Sequence, residues 1–187
     1  MFKKLIIVVM VILTVSFLFA ACEGSGSAGT KGLKFELLND DTYAVMKDDS
    51  DDKIEEKLKG TVKIPEYHNN LKVTKIKAGA FENCEKLTKI EIPDSVAIIE
   101  QDAFKNTGIY LSTSSDSIVY ADKWAVGFRG IVTNAEIKEG TVGIANGAFG
   151  SNSIDVYDYT SRNNDLASVT IPVSVRNIGD YAFYALN

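Results

Sequence analysis

The stretch Leu87-Thr-Lys-Ile-Glu-Ile-Pro-Asp-Ser-Val-Ala-Ile-Ile-Glu-Gln-Asp-Ala-Phe104 decides the fold, because the chain contains it more than once. Residues 166–183 repeat it without a gap and keep its Ile-Pro and Ala-Phe pairs at the same spacing. Residues 61–81 and 135–149 are looser copies, and the second of these lacks the proline. A segment that recurs in this way predicts a repeat architecture.

Each copy begins with a pattern close to L-x-x-I-x-I, which predicts a short strand with one buried face. We expect Leu87, Ile90 and Ile92 to point inward, and the following proline to end the strand because it has no N–H to donate. A valine and an isoleucine further along then fill the core from a short return turn. In residues 166–183 the equivalent inward residues are Leu166, Val169 and Ile171.

The repeat length indicates how the copies pack together. Ala80 and Ala103, which occupy the same place in successive copies, are 23 residues apart. A period in this range is typical of a solenoid in which each repeat supplies one strand and a short return element. Because one repeat cannot bury its apolar face alone, we expect the strands of stacked repeats to form a parallel sheet with a spacing of about 4.8 Å. The predicted fold is therefore a mainly β solenoid.

These repeats resemble the BspA-type leucine-rich repeats, whose consensus is close to L-x-x-I-x-I-P-x-S-V-x-x-I-G-x-x-A-F-x-x-C. Asn83-Cys84 and the run from Ile178 to Phe183 match that consensus. The resemblance extends over roughly residues 60–187 and implies a leucine-rich-repeat fold with a parallel sheet and short return turns. It also implies a surface or secreted protein, since family members are typically of that kind, and several of them are linked to adhesion. The family resemblance implies a scaffold more than an activity.

Residues 1–21 have the layout of a secretory signal, in which basic residues precede an apolar run and small residues precede Cys22. The sequence Phe19-Ala-Ala-Cys22 resembles a bacterial lipobox, which implies acylation of Cys22, although the bulky Phe19 departs from the usual Leu-like residue. An ordinary cleaved signal and a retained anchor are the alternatives. The apolar run is at the lower limit of the roughly 20 residues that span a bilayer.

The anchor and the segment after it predict a display arrangement. Residues 22–31 are rich in Gly and Ser and are predicted to be a flexible tether. We therefore predict a lipid-anchored protein on the extracytoplasmic face of the cell membrane.

Residues 32–60 precede the repeats, which we place at residues 61–187. The pattern from Phe35 to Met46, interrupted by Asn39-Asp-Asp41, predicts a β-hairpin that caps the first repeat. The acidic run from Asp48 to Asp52 is interpreted as a solvated loop, because it lacks the ligand spacing of an EF-hand calcium site.

Two insertions lengthen the intervals between copies, and the first lies at about residues 107–130. It contains two short apolar runs, which predict a hairpin extending from the solenoid. Its Tyr120 and Trp124 are candidate ligand anchors, but packing against the edge of the repeats is the favoured interpretation.

Two further surfaces are candidates for ligand binding. The second insertion, at about residues 150–165, is a polar loop that contains Tyr157 and Tyr159, and long loops in compact repeats are often functional. The outward face of the predicted sheet is polar and mixed in sign, and nothing in it names a ligand. By register, its candidate residues are Lys63, Lys89, Glu91, Glu136 and Thr170.

Little in the sequence indicates chemistry. His68 is the single histidine, which excludes a metal site built on a histidine pair, and we expect it in a turn. Cys84 is expected to be an inert core thiol. We therefore predict no catalytic residue, no metal and no cofactor.

The predicted function is binding without catalysis. A net charge of -5 gives no electrostatic reason to bind nucleic acid. We expect a membrane-anchored module that mediates binding or adhesion to an extracellular or envelope protein, with a surface polysaccharide as a further candidate ligand. The alternative is a structural envelope protein that contacts only other envelope components.

Overall fold

The computed structural model describes residues 29–48, 50, 54–150 and 165–184. The predicted leader, Cys22 and most of the tether therefore lie outside the described residues, as do Tyr157, Tyr159 and most of the acidic run. Within the described part of the chain, no helix is long and apolar enough to cross a membrane.

The N-terminal hairpin predicted from the sequence is confirmed. Strands β1 (Lys34–Leu37) and β2 (Tyr43–Met46) pair antiparallel, and Asp41 in the connecting turn has a φ of 57°. Strand β2 also pairs in parallel with β5 (Leu71–Ile76). The hairpin therefore covers the edge of the first repeat, and the single-turn helix α1 (Ile54–Lys57) follows it.

The first strands of the repeats pair in parallel, but only two at a time. We call them the first-strand row: β3 (Gly60–Lys63), β6 (Leu87–Glu91), β10 (Asn134–Glu136) and β12 (Ser168–Thr170). Strand β3 pairs with β6, and β10 pairs with β12. Among the described residues, β6 and β10 do not pair. The expected continuous parallel sheet is therefore present only in part.

The strands of the return turns form a second row on another side of the core. This return row consists of β5 with β7 (Ile98–Ile99), β9 (Trp124–Arg129), β11 (Gly143–Ile144) and β13 (Asn177–Ile178). Strand β7 pairs in parallel with β5, and β11 pairs in parallel with both β9 and β13. The N–H of Asn146 donates to the Ile99 carbonyl at 2.9 Å, which connects the two groups of strands.

The first insertion lies inside this arrangement and does not simply extend from its edge. It begins with the short helix α2 (Gly108–Ser112), in which the Tyr110 N–H donates to the Thr107 hydroxyl at 3.2 Å. The predicted hairpin follows, with β8 (Ser117–Ala121) antiparallel to β9. Because β9 also pairs in parallel with β11, the insertion supplies a strand to the return row.

The predicted inward residues of the copy at residues 87–104 are buried as expected. Leu87, Ile90 and Ile92 form one wall of the core. Val96 and Ile99 fill it from the return side. An L-x-x-I-x-I strand followed by a short return therefore buries apolar side chains from both rows, as the pattern predicts.

The phenylalanine rings of successive repeats stack on one another. Phe81 and Phe104 have ring centroids 5.2 Å apart at an interplanar angle of 15°. Phe149 lies 5.5 Å from Phe183 and 6.4 Å from Phe128 of the insertion. The backbone follows the same order, since the Phe81 N–H donates to the Ala103 carbonyl at 2.9 Å. The recurring Ala-Phe pair therefore connects the repeats two at a time, Phe81 with Phe104 and Phe149 with Phe183.

The last described repeat is less buried than its sequence predicts. Leu166 is buried, but Val169 is only half-buried and the side chain of Ile171 is 40% exposed. Ile171 therefore lacks the burial that its inward assignment predicts. The preceding strand β12 has only one described neighbour, β10, so no further described repeat covers the other side.

The turn before each Ala-Phe pair uses a left-handed backbone. The residue two places before the phenylalanine has a φ of 63° at Gly79, 57° at Asp102, 65° at Gly147 and 57° at Tyr181. This conformation costs a non-glycine residue roughly 1–2 kcal/mol. Two of the four turns therefore contain a strained side-chain-bearing residue.

Candidate ligand-binding site

The outward residues of the first-strand row lie where the sequence predicts, but they largely neutralise one another. Lys63 is directly opposite Glu91 in the register of β3 and β6, and its Nζ is 3.8 Å from a Glu91 carboxylate oxygen. Both side chains are more than a third exposed, and an exposed ion pair of this kind contributes little to stability. Lys89 occupies the same face of β6 and is exposed. These three residues form one polar patch.

The remaining outward candidates belong to a separate patch. Glu136 and Thr170 are register partners on β10 and β12. Beside them, the Ser168 hydroxyl donates to Asn134 Oδ1 at 2.7 Å. Because β6 and β10 do not pair among the described residues, the predicted stripe consists of two short patches and not one continuous surface.

The two aromatic candidates of the first insertion, Tyr120 and Trp124, pack against the protein. Trp124 is only 2% exposed, which agrees with the packing interpretation and leaves little of its ring for a ligand. Tyr120 is half-buried, and its hydroxyl accepts a hydrogen bond from the Lys138 N–H at 2.9 Å. Burial raises the pKa of Tyr120 above its usual value. Neither ring is presented to solvent as a free anchor.

The structure reveals a cleft along the return row that the sequence did not indicate. It consists of a cavity of about 400 Å³ and an adjoining cavity of about 60 Å³, which share Trp124, Arg176 and Asn177 in their walls. Exposed Ile98 and Ile178 line the larger cavity, and Lys123 lines the smaller one. We call this surface, lined by these six residues, the Trp124 cleft.

Charge in the Trp124 cleft is concentrated at its narrow end. The Nζ of Lys123 is 3.7 Å from a carboxylate oxygen of Asp94, and both side chains are more than half exposed. Arg176 is exposed; its backbone N–H donates to the Val142 carbonyl at 2.9 Å, but its guanidinium forms no hydrogen bond or ion pair with any described residue. Asp180 lines the other end. The cleft therefore contains two cationic side chains, Lys123 and Arg176, that form at most a long, exposed contact with other described residues.

Comparison with known proteins identifies the family. The family model of the BspA type leucine rich repeat region matches residues 55–187 with six copies. The chain belongs to the BspA-type leucine-rich repeat family. Since four copies are evident from the sequence pattern alone, the family model finds two more. No curated protein matches the chain.

Two solved structures are similar to this leucine-rich repeat chain. One is a leucine-rich repeat protein of T. pallidum, at 18% identity and a TM-score of 0.39, with 84% of this chain and 66% of that chain covered. The other is a leucine-rich cell surface protein from Faecalibacterium prausnitzii A2-165, at 21% identity and a TM-score of 0.35, with 83% of this chain and 46% of that chain covered. This leucine-rich repeat chain therefore spans 66% and 46% of the two proteins.

The histidine and the described cysteine of this leucine-rich repeat chain pack against other side chains. His68 stacks on Phe35 with ring centroids 4.0 Å apart and meets Tyr43 edge-on at 4.7 Å. The expected turn position is wrong by one residue, because His68 ends strand β4 (Tyr67–His68), which pairs antiparallel with β5, and the turn follows at Asn69 and Asn70. The aromatic cluster was not predicted. Cys84 is buried in the core. Within the described residues, no three His, Cys, Asp or Glu side chains are placed to hold a metal ion.

Proposed function

We propose that this protein is a membrane-anchored leucine-rich repeat protein of the bacterial surface, with its repeats stacked as a solenoid, that binds an extracellular protein and has no catalytic activity. The main support is the family match over residues 55–187, since repeats of this kind form extended binding surfaces. The solenoid is supported by hydrogen bonds between the Ala-Phe segments of neighbouring repeats, such as Phe149 N–H to the Ala182 carbonyl at 2.8 Å.

The membrane anchor is proposed to be an acyl group on Cys22. The support is the position of Cys22 directly after Ala20 and Ala21 at the end of an apolar run. The test is the mass of the N-terminal peptide from native membranes. We expect a diacyl or triacyl adduct on Cys22, and release of the Cys22→Ala variant into the medium. The matched control is Cys84→Ala, which removes the other thiol and is expected to leave the protein in the membrane.

An unmodified Cys22 would contradict the proposed anchor. A soluble protein with a free Cys22 would indicate a plain secretory signal, and a protein that retains residues 1–21 would indicate a helical anchor. The family assignment does not depend on this result.

The proposed binding activity can be tested with the intact protein on cells. We expect cells that display it to bind immobilised extracellular proteins more strongly than cells that lack it. If the first-strand row contributes, reversing the charges of Lys63, Lys89 and Glu91 together lowers that binding several-fold. Chemical crosslinks only to proteins of its own envelope, without binding to foreign proteins, would support the structural alternative instead.

A further inference from the structure

We propose that the Trp124 cleft binds an extended acidic segment of a partner protein, in which a carboxylate is held between Lys123 and Arg176. The inference deepens the proposed binding function and depends on it. It assigns the ligand contact to the return row, whereas the sequence pattern favours the first-strand row.

The two cations of the narrow end are available to a ligand. The guanidinium of Arg176 has no hydrogen-bond or ion-pair partner among the described residues, and the contact of Lys123 with Asp94 is long and exposed. The other described arginine differs, because Arg129 Nη1 donates to the carbonyls of Leu111 and Thr113 at 2.8 and 2.7 Å. A guanidinium can hold a carboxylate through two parallel hydrogen bonds. A carboxylate between Lys123 and Arg176 would therefore complement both charges.

The wider part of the cleft fits apolar side chains next to that carboxylate. Ile98 and Ile178 line it and are 40% and 56% exposed. The amide of Asn177 also lines both cavities. In an extended segment, alternate side chains lie on the same face. An acidic residue with aliphatic residues two positions away on either side can therefore place a carboxylate at the narrow end and an apolar group in the wider part.

The walls of the cleft favour a peptide over an acidic saccharide. Sugar rings bind well when their C–H faces pack on an exposed aromatic ring, and Trp124, the aromatic residue of the cleft, is only 2% exposed. Exposed isoleucines are better suited to aliphatic side chains, because burial of apolar area drives that contact.

The test uses the full-length protein in detergent micelles and an amidated peptide, Val-Leu-Thr-Glu-Thr-Leu-Val, with fluorescein on its N-terminal amine. Fluorescence anisotropy measures its affinity, and a peptide with Gln in place of Glu is the matched probe. We expect the Glu peptide to bind at least tenfold more tightly. Arg176→Gln should abolish this difference, whereas Asp94→Asn should strengthen binding because it frees Lys123. Lys59→Gln, which removes the charge of an exposed lysine that does not line the cleft, should leave binding unchanged.

Three results would overturn the inference. In the first, the Glu and Gln peptides bind equally. In the second, the Arg176→Gln variant binds the Glu peptide as tightly as the parent does. In the third, oligogalacturonate displaces the labelled peptide at a lower concentration than unlabelled Glu peptide does. If cells still bind an extracellular protein while the peptide does not bind, only this inference fails. If neither binds, the proposed function fails as well.

Discussion

The indole ring of Trp124 lies on the backbone of Gly143, the residue opposite it in the parallel pairing of β9 and β11. A Cβ atom built on Gly143 would overlap the ring and would lie 2.6 Å from its Cε3 and Cη2 atoms. The residue in the neighbouring strand is Asn177. The ring therefore occupies the space that a side chain at position 143 would need, and it forms part of the cleft wall.

Gly143→Ala is expected to displace Trp124. Overpacking of this kind typically costs about 1–3 kcal/mol of unfolding free energy, which urea unfolding would measure. Because Trp124 is the single tryptophan, its emission should also shift to longer wavelength as the ring becomes more exposed. Gly140→Ala is the control, since its added Cβ meets no atom within 4 Å. It should cost backbone strain, because Gly140 has a φ of 84°, but leave the emission unchanged. An unshifted emission in Gly143→Ala would contradict the contact.

Asp102→Gly is expected to stabilise the protein. Asp102 has a φ of 57° at the turn position where Gly79 and Gly147 stand in other repeats. The substitution relieves left-handed strain in the folded state, but glycine is also more flexible in the unfolded chain, which offsets part of the gain. The free energy of unfolding should therefore rise by about 0.5–1 kcal/mol. Gly79→Ala, the reciprocal change, should lower stability by about 1 kcal/mol. Urea midpoints that move in the opposite directions would show that side-chain contacts outweigh the backbone at this turn.

The phenylalanine stack predicts a graded response to truncation. Phe104 is buried against Phe81, whereas Phe183 is only half-buried and stacks on Phe149. Phe104→Ala should therefore cost about 3–5 kcal/mol, and Phe183→Ala clearly less. Thermal unfolding of both variants measures the difference. Equal losses would indicate that the last repeat is covered in solution.

The Lys34–Asp48 contact predicts a dependence on acid pH. Hydrogen bonds from Ser50 and then from Lys34 hold the pKa of Asp48 at about 2, below the ordinary 3.8. Because the pKa is lowered in the folded state, the stabilisation is present above pH 3.8 and is lost as the pH falls towards 2. Asp48→Asn should be less stable than the parent at pH 7, and the two should converge near pH 2. Asp94→Asn, which removes an exposed carboxylate 3.7 Å from Lys123, should show little change with pH.

The sequence predicts the local structure of the repeats well because those features depend on short-range chemistry. The alternation of Ile90 and Ile92 predicts a strand with one buried face, and both side chains are buried. The turn residues Asn39-Asp-Asp41 between two alternating runs likewise predict the N-terminal hairpin that is observed. Periodicity and turn chemistry are read from adjacent residues, so one sequence is enough.

The position of the insertion depends on contacts between residues far apart in the chain. Residues 107–130 predict a hairpin, but their pattern does not show that β9 would pair with β11. The clearest signal in the sequence was the 45-residue interval from Ala103 to Ala148, which is close to two periods of 23. The Trp124 cleft was missed for the same reason, because Lys123 and Arg176 line one cavity only after β11 has paired with both β9 and β13.

By itself, the sequence determined that this chain is a leucine-rich repeat protein. Each copy shows the alternation of apolar residues that buries one face of a strand, and the copies recur at the period of a solenoid. Only the tertiary structure decided which repeats are neighbours, which aromatic rings are buried and where unpaired charge is left at the surface. Trp124 illustrates the division: its residue type is compatible with a ligand anchor or with packing, and its ring is buried because Gly143 leaves space for it in the adjacent strand.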